Sequence, residues 1–142
     1  MEFRHNLKGT CGTDYGPEPF VGNIAAAARQ NQNFRIAYWT GQHLQMTLMH
    51  IPVCGDIGVE MHPDTDQHIR VESGQALVRM GECRENLCES QHIRAGDGVF
   101  VPRGTWHNII NTGHCPLKLS SIYAPPQHPK GTIHRTKADA MD

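Results

Sequence analysis

Short apolar stretches, each broken by glycine, proline, asparagine or aspartate, recur along residues 35–123. One helical signal precedes them, because Asn23 is placed to cap a short helix over residues 25–29. Many short strands separated by turn residues are typical of an antiparallel sandwich or barrel. The pattern predicts an all-β protein with a short N-terminal helix, and its strands are expected at residues 35–40, 44–51, 57–62, 68–72, 76–80, 99–101, 107–111 and 117–123.

The length of the chain indicates one barrel. Its 142 residues suffice for one hydrophobic core of ordinary size, and the sequence contains no internal repeat. We expect an N-terminal arm with the short helix over residues 1–33 and a β-barrel over residues 34–124. The tail, residues 125–142, is expected to pack near the mouth of the barrel.

Charge and composition limit the classes of binding partner that can be expected. The chain carries 13 Lys and Arg against 14 Asp and Glu, so nucleic acid and anionic membranes are not expected partners. No apolar run approaches the length of a membrane span, and the N-terminus lacks the layout of a secretory signal. Five cysteines without framework spacing are typical of a reduced protein. We therefore expect a cytoplasmic protein that acts on a small molecule.

The first polar cluster lies between Gly55 and Gly74. Glu60 and His62 are two residues apart on a predicted strand, so their side chains should share one face. The turn at residues 63–66 reverses the chain, and Gln67 opens the next strand opposite them. Two ligands on one strand and a third on its neighbour are what a barrel interior needs to hold an ion.

The second cluster, residues 96–111, has fixed positions at Gly96, Pro102, Gly104, His107 and Asn111. Proline and glycine so close together predict a tight turn, from which His107 leads the returning strand into the barrel. His107 would then be the fourth ligand. The two clusters together predict a metal site built from Glu60, His62, Gln67 and His107.

These two segments resemble the paired motifs of the cupin superfamily. The second, Gly-x5-Pro-x-Gly-x2-His-x3-Asn, matches at every fixed position. In the first, Glu60 stands where cupins usually place a histidine and Gln67 where they usually place a glutamate. The resemblance implies a double-stranded β-helix, also called a jelly roll. The chain is similar to the single-domain cupins described as mannose-6-phosphate-isomerase-like. The resemblance also implies a homodimer, often with an exchanged N-terminal arm.

The ligand types restrict the ion. Two histidines and one carboxylate suit a divalent Zn, Mn, Fe, Ni or Co ion and leave positions open for substrate. The alternative is a metal-free polar pocket, in which Glu60 needs a partner such as Arg70. Several residues on predicted strands and turns could line the mouth: Arg35, Tyr38, His43, Gln45, Arg70, Trp106 and Tyr123. The tail histidines, His128 and His134, are expected to be exposed.

Three functions fit such a site. The first is a metal-dependent isomerase, epimerase or lyase that moves a proton next to the carbonyl of a sugar or keto acid, with Glu60, His43 or Tyr123 as the catalytic base. The second is an iron or manganese dioxygenase. The third is a binding protein for a small carbohydrate, without turnover. The fold alone does not separate them, because one scaffold carries many chemistries.

Overall fold

A computed structural model describes residues 4–6 and 13–141; the rest of the expected N-terminal arm, residues 1–3 and 7–12, lies outside the described residues. The described elements, in chain order, are β1 (Arg4–Asn6), β2 (Phe20–Gly22), α1 (Ile24–Gln30), β3 (Arg35–Thr40), β4 (Gln45–Ile51), β5 (Asp66–Ser73), β6 (Gln75–Gly81), β7 (Glu89–Arg94), β8 (Gly98–Val101), β9 (Trp106–Asn111), β10 (Leu117–Ala124), β11 (Ile133–His134) and the 3₁₀ helix η1 (Lys137–Met141).

Two antiparallel sheets form the barrel. The larger has the order β11-β3-β4-β10-β5-β8 and the smaller the order β7-β6-β9. Strand β10 lies between β4 and β5 in the larger sheet. Of the strands between β5 and β10 in the chain, β6, β7 and β9 belong to the smaller sheet, so the connections cross from one sheet to the other. This is the jelly-roll arrangement, and it confirms the predicted all-β class with one short helix. In the described part of the chain, no helix is long and apolar enough to cross a membrane.

The inner face of the larger sheet changes from apolar to polar along its strands. Leu119 of β10 pairs with Met49 and Val71, and all three side chains are buried in the core. Four residues further along β10, Tyr123 pairs with Gln45 and Gln67, which are also buried. Paired residues of neighbouring strands share a face. The polar end of the barrel interior is therefore where a site can form.

Helix α1 covers the outer face of the larger sheet. The side chain of Asn23 accepts a hydrogen bond from the Ala26 amide at 3.0 Å, which confirms the predicted cap. Ala27 and Ala28 are buried against Ile36 and Leu48 of β3 and β4. Because both faces of this sheet are covered, its central strands are largely buried and do not show a simple alternation of polar and apolar residues.

The predicted strand over residues 57–62 is wrong. This segment makes only isolated bridges to β9, from Asp56 to Ile110 and from Glu60 to His107. Gly58 adopts a φ of 100°, and its amide donates to the Asn108 side chain at 2.9 Å. A positive φ interrupts the extended conformation, so the segment bends instead of continuing as a strand.

Strand β7 was not predicted. Its sequence, ESQHIR, has one buried residue, Ile93, and lies at the edge of the smaller sheet. An edge strand that is exposed on most positions carries no period-two signal.

Asp14 joins three segments of the chain. One carboxylate oxygen of Asp14 accepts from the amides of Gly16 and Thr40, and the other accepts from the Thr40 hydroxyl and the Gly131 amide. Further along the tail, β11 extends the larger sheet beside β3, and Ala140 of η1 packs against the core. The tail therefore closes the side of the barrel next to β3.

Candidate metal centre

Glu60, His62 and His107 come together inside the barrel. Oε1 of Glu60 lies 3.5 Å from Nε2 of His62 and 3.5 Å from Nε2 of His107. One ligand atom from each residue lies within 4.8 Å of the other two. The two histidines are buried and Glu60 is partly exposed. Sequence spacing thus identified three side chains that the fold places around one point.

The backbone joins the two motifs directly. Glu60 and His107 exchange both backbone hydrogen bonds, at 2.9 and 3.0 Å, and the Gly104 amide donates to the His62 carbonyl at 2.8 Å. Gly104 has a φ of 79°, which favours glycine at this turn. These bonds hold the bent segment of Glu60 and His62 against the start of β9. The ligands are therefore placed by β9 and its preceding turn instead of by a strand of their own.

The hydrogen bond of His107 fixes which nitrogen faces the site. Its Nδ1 lies 2.9 Å from the carbonyl oxygen of Thr105, so Nδ1–H donates to that oxygen and Nε2 is the nitrogen that faces Glu60. Nδ1–H donating to a backbone carbonyl is the usual arrangement of a metal-ligating histidine. Nε2 is therefore oriented as the ligand atom of His107.

The ligand atoms at this point form no hydrogen bond to any described residue. Glu60 Oε1, His62 Nε2 and His107 Nε2 are all buried and unbonded in this sense. Buried polar atoms are nearly always satisfied, so a group of three that are not points to a missing ligand. Nitrogen and oxygen donors of these types suit a divalent transition-metal ion. The residues present therefore fit the ion that the fold family implies.

The charge of Glu60 supports the same conclusion. Burial disfavours its ionised form, but the imidazoles of His107 and His62 and the positive charge of Arg35 outweigh burial and lower the pKa of its carboxyl below the ordinary value. Glu60 is therefore a carboxylate at neutral pH, ready to bind a cation.

Gln67 is the second residue of β5 and lies in register with Tyr123. Its Nε2 lies 3.5 Å from the Ser121 hydroxyl, which leaves Oε1 as the free end of the amide. The assignment of Gln67 as a fourth ligand stays a prediction.

Two aromatic side chains, Tyr123 of β10 and His128 of the tail, lie beside the ligand His62. The ring of Tyr123 lies 5.6 Å from that of His62 and 5.2 Å from that of His128. The side-chain amide of Gln45 makes two hydrogen bonds to the backbone of His128. It donates to the His128 carbonyl at 2.8 Å and accepts from the His128 amide at 2.9 Å. The expected exposure of His128 is therefore wrong: its side chain is partly buried next to Tyr123.

Burial gives these two groups unusual acidities. Burial raises the pKa of Tyr123 to about 12. Burial and then the positive charge of Arg35 lower the pKa of His128 to about 4. At neutral pH the site thus presents a protonated phenol and a neutral imidazole. Neither the Tyr123 hydroxyl nor His128 Nε2 forms a hydrogen bond of normal geometry within the described residues.

Two other expectations do not fit the structure. His43 lies in the exposed turn between β3 and β4, and the structure does not bring it into the group around Glu60. Arg70 pairs with Glu72 at 2.5 Å, and Glu72 also accepts from Ser120, so Arg70 is not the partner of Glu60. Thr105 was not predicted at all, because it acts through its backbone carbonyl and leaves no signal in residue type.

A cavity of about 290 Å³ opens beside Glu60. It is lined by Arg35 and by residues of the bent segment, and Arg84, Lys137 and Ala140 complete its wall. The volume suits a small metabolite.

Two histidines and a carboxylate lie together at the polar end of the interior of a small jelly roll, where they could hold a metal ion. The chain matches the Cupin domain family over residues 47–123, and it therefore belongs to the cupin family. The uncharacterised protein YrkC of Bacillus subtilis (strain 168) is 54% identical over 128 residues, covering 90% of this chain and 69% of YrkC. The uncharacterised protein L612 of Acanthamoeba polyphaga mimivirus is 38% identical over 116 residues, covering 80% of this chain and 70% of L612.

A solved structure shows the same fold at high similarity. BH2720 of Bacillus halodurans is 56% identical, with a TM-score of 0.90 over 91% of this chain and 98% of that chain.

Proposed function

We propose that this protein is a metal-dependent enzyme that moves a proton next to a carbonyl of a small oxygen-rich metabolite. The reaction class is that of a sugar or keto-acid isomerase, epimerase or related lyase. The observation that carries the proposal is the convergence of unpartnered ligand atoms from Glu60, His62 and His107 beside a cavity. A bound divalent Zn, Mn, Fe, Ni or Co ion supplies Lewis acidity, which makes a proton next to a carbonyl easier to remove.

The chain's own residues divide the remaining tasks. Glu60, His62 and His107 hold the ion, and Gln67 adds a neutral oxygen. His128 is neutral at physiological pH, with a free Nε2, and accepts the proton from the substrate carbon. Tyr123 keeps its proton and donates a hydrogen bond to a substrate oxygen. His128 and Tyr123 thus replace His43, and they leave Glu60 as a ligand instead of a base.

The first test is metal content. The protein is purified without a histidine tag, and bound metals are measured by elemental mass spectrometry. We expect about one ion per chain in the wild type and its loss in the His62→Ala, His107→Ala double variant. A double variant of two exposed histidines, His43→Ala and His92→Ala, is the matched control and keeps the ion. Equal metal in both double variants would place the ion elsewhere.

The second test is chemical. Sugars, sugar phosphates and keto acids are incubated in D₂O with the metal-loaded protein, and deuterium uptake at carbon is followed by NMR. We expect uptake that disappears in His128→Gln. Metal retention without uptake on any compound would sink the proton-transfer proposal and favour a carbohydrate-binding protein.

A dioxygenase is the second candidate, favoured by the ligand set itself. Two histidines and one carboxylate with open positions are the ligand set of non-haem Fe(II) oxygenases. Iron as the retained ion, with oxygen consumption on an added organic substrate, would support this candidate over the first.

We also propose a homodimer, as the family resemblance implies. The molecular mass in solution, measured over a hundredfold range of protein concentration, tests it. A monomer mass throughout that range would remove the proposal.

A further inference from the structure

Arg35 carries a buried charge that forms no ion pair with a described carboxylate. It is 4% exposed on β3, and no described carboxylate lies within ion-pair distance of it. One guanidinium nitrogen is 3.5 Å from His134 Nδ1 and another is 3.9 Å from Met49 Sδ, whereas Nε has no hydrogen-bond partner among the described residues. A buried guanidinium so poorly satisfied is costly, and a fold that keeps one normally has a use for it.

The position of Arg35 connects that charge to the metal centre. Ile36 and Tyr38 point to the outer cluster under α1, so the alternation of β3 turns Arg35 toward the interior. There it lines the same cavity as Glu60. A ligand in this cavity can therefore contact both Arg35 and Glu60.

Charge balance indicates what that ligand is. A divalent ion adds two positive charges and Arg35 one, while Glu60 supplies a single negative charge, so the loaded site is left with two unbalanced positive charges. The other two cations of the cavity wall do not correct this excess. Lys137 is paired with Asp56, and Arg84 lies over the Trp106 ring at 5.8 Å. A low-dielectric site with excess positive charge selects an anion.

We propose that Arg35 binds the carboxylate of the substrate, so the site takes an oxo acid, a hydroxy acid or a sugar acid in preference to a neutral sugar. The planar fork of a single guanidinium matches the two oxygens of a carboxylate. The carboxylate would lie at Arg35, and the adjacent carbonyl or hydroxyl oxygen would lie on the side of Glu60. This inference rests on the proposed function for the placement of the ion, but the anion site itself does not.

The test uses three matched pairs of probes, which are pyruvate and pyruvamide, malonate and malonamide, and D-glucuronate and D-glucose. Each pair differs in whether a carboxylate is present. Binding to the full chain is measured by isothermal titration calorimetry, with and without the divalent ion it retains. We expect at least one acid to bind more tightly than its neutral partner, and Arg35→Met to weaken that acid on the order of 10- to 100-fold.

Control variants separate the charge of Arg35 from folding. Arg29→Met removes an exposed arginine of α1 and leaves acid binding unchanged. Arg35→Lys keeps the charge but loses the fork, and its affinity falls between those of wild type and Arg35→Met; it serves as the readout if the methionine variant does not fold.

Three results would overturn the proposal: no binding of any of the three acids to the wild type, preference for the neutral member of each pair, or equal acid affinity in Arg35→Met. Metal content is measured on the same samples. A wild type without metal refutes the proposed function alone, and the titrations of the metal-free protein then still decide the role of Arg35.

Discussion

The partly buried imidazole of His128 makes a specific contribution to the dependence of stability on pH. Its pKa is about 4 in the folded protein against 6.5 ordinarily. Because the folded pKa is depressed, the unfolded chain takes up a proton as pH falls below 6.5 while the folded chain does not. The stabilisation is complete above pH 6.5 and is lost progressively as pH falls toward 4.

The size of the effect follows from the two pKa values. Between pH 7 and pH 5 the linkage relation gives a loss of about 2 kcal/mol in the free energy of unfolding from this group alone. For a chain of 142 residues the entropy of unfolding is about 0.3 kcal/mol/K, so the same loss lowers Tm by about 7 °C.

Urea unfolding at pH 7 and pH 5, with a chelator present, measures the loss. Other titrating groups contribute to both proteins, so the informative quantity is the difference between wild type and His128→Gln. We expect the wild type to lose about 2 kcal/mol more than His128→Gln over this interval. His43→Gln, which removes an exposed turn histidine, is the control and behaves as wild type. An equal loss in wild type and His128→Gln would mean that His128 is protonated freely in the folded protein, and the base assigned to it would have to be abandoned.

Three further predictions concern the ion and the turn that holds its ligands. A divalent ion at a hundredfold excess over its Kd stabilises the wild type by about 2.7 kcal/mol, which scanning calorimetry detects as a rise of about 9 °C in Tm. Glu60→Gln removes most of that rise, and a full rise in the variant would refute the site. Asn111→Asp removes the side-chain donor to the carbonyls of Ile51, Pro52 and Cys115. We expect the free energy of unfolding in urea to fall by about 2–4 kcal/mol, and a loss below about 1 kcal/mol would show that these bonds are dispensable. Gly104→Ala meets no neighbouring atom but costs about 1–2 kcal/mol through its positive φ, and an unchanged stability would show that the turn relaxes.

The second motif was predictable because each of its fixed residues has a local role. Gly104 needs its backbone conformation at the turn, and His107 starts the strand that follows. The amide of Asn111 donates to three carbonyls from two other segments and accepts from Gly113. Such requirements fix residue type and spacing together, so they are visible in the sequence.

The first motif was only half predictable. The spacing correctly predicted that Glu60 and His62 lie together. The expected reason, a shared face of one strand, was wrong, because the segment bends at Gly58 and is held by β9. A bend of this kind depends on a partner about fifty residues later in the chain. Nothing local distinguishes Gly58 from a glycine that simply ends a strand.

The tail and β3 residues were the hardest to predict. His128 reaches Tyr123 because Gln45 binds its backbone, a contact across 83 positions of the chain. Arg35 points to the interior of the barrel because the apolar residues of β3 that alternate with it, Ile36 and Tyr38, pack against the helix on the outer face. A polar residue that alternates with apolar ones would ordinarily be expected to face solvent. Long-range contacts of this kind follow from topology and have no signature in a single stretch of sequence.

The shared joint at Asp14 has a consequence for the exchange of ligands. Because one carboxylate holds residues of the N-terminal segment, the end of β3 and the tail at Gly131, loosening any one of them weakens the others. Residues 13–17 and 125–132 should then open as one cooperative unit in amide hydrogen exchange, at a free energy below that of global unfolding. His128 belongs to that unit, so the imidazole beside the centre leaves and returns with it. Opening of this unit would therefore expose the surroundings of His128 to solvent without unfolding the barrel.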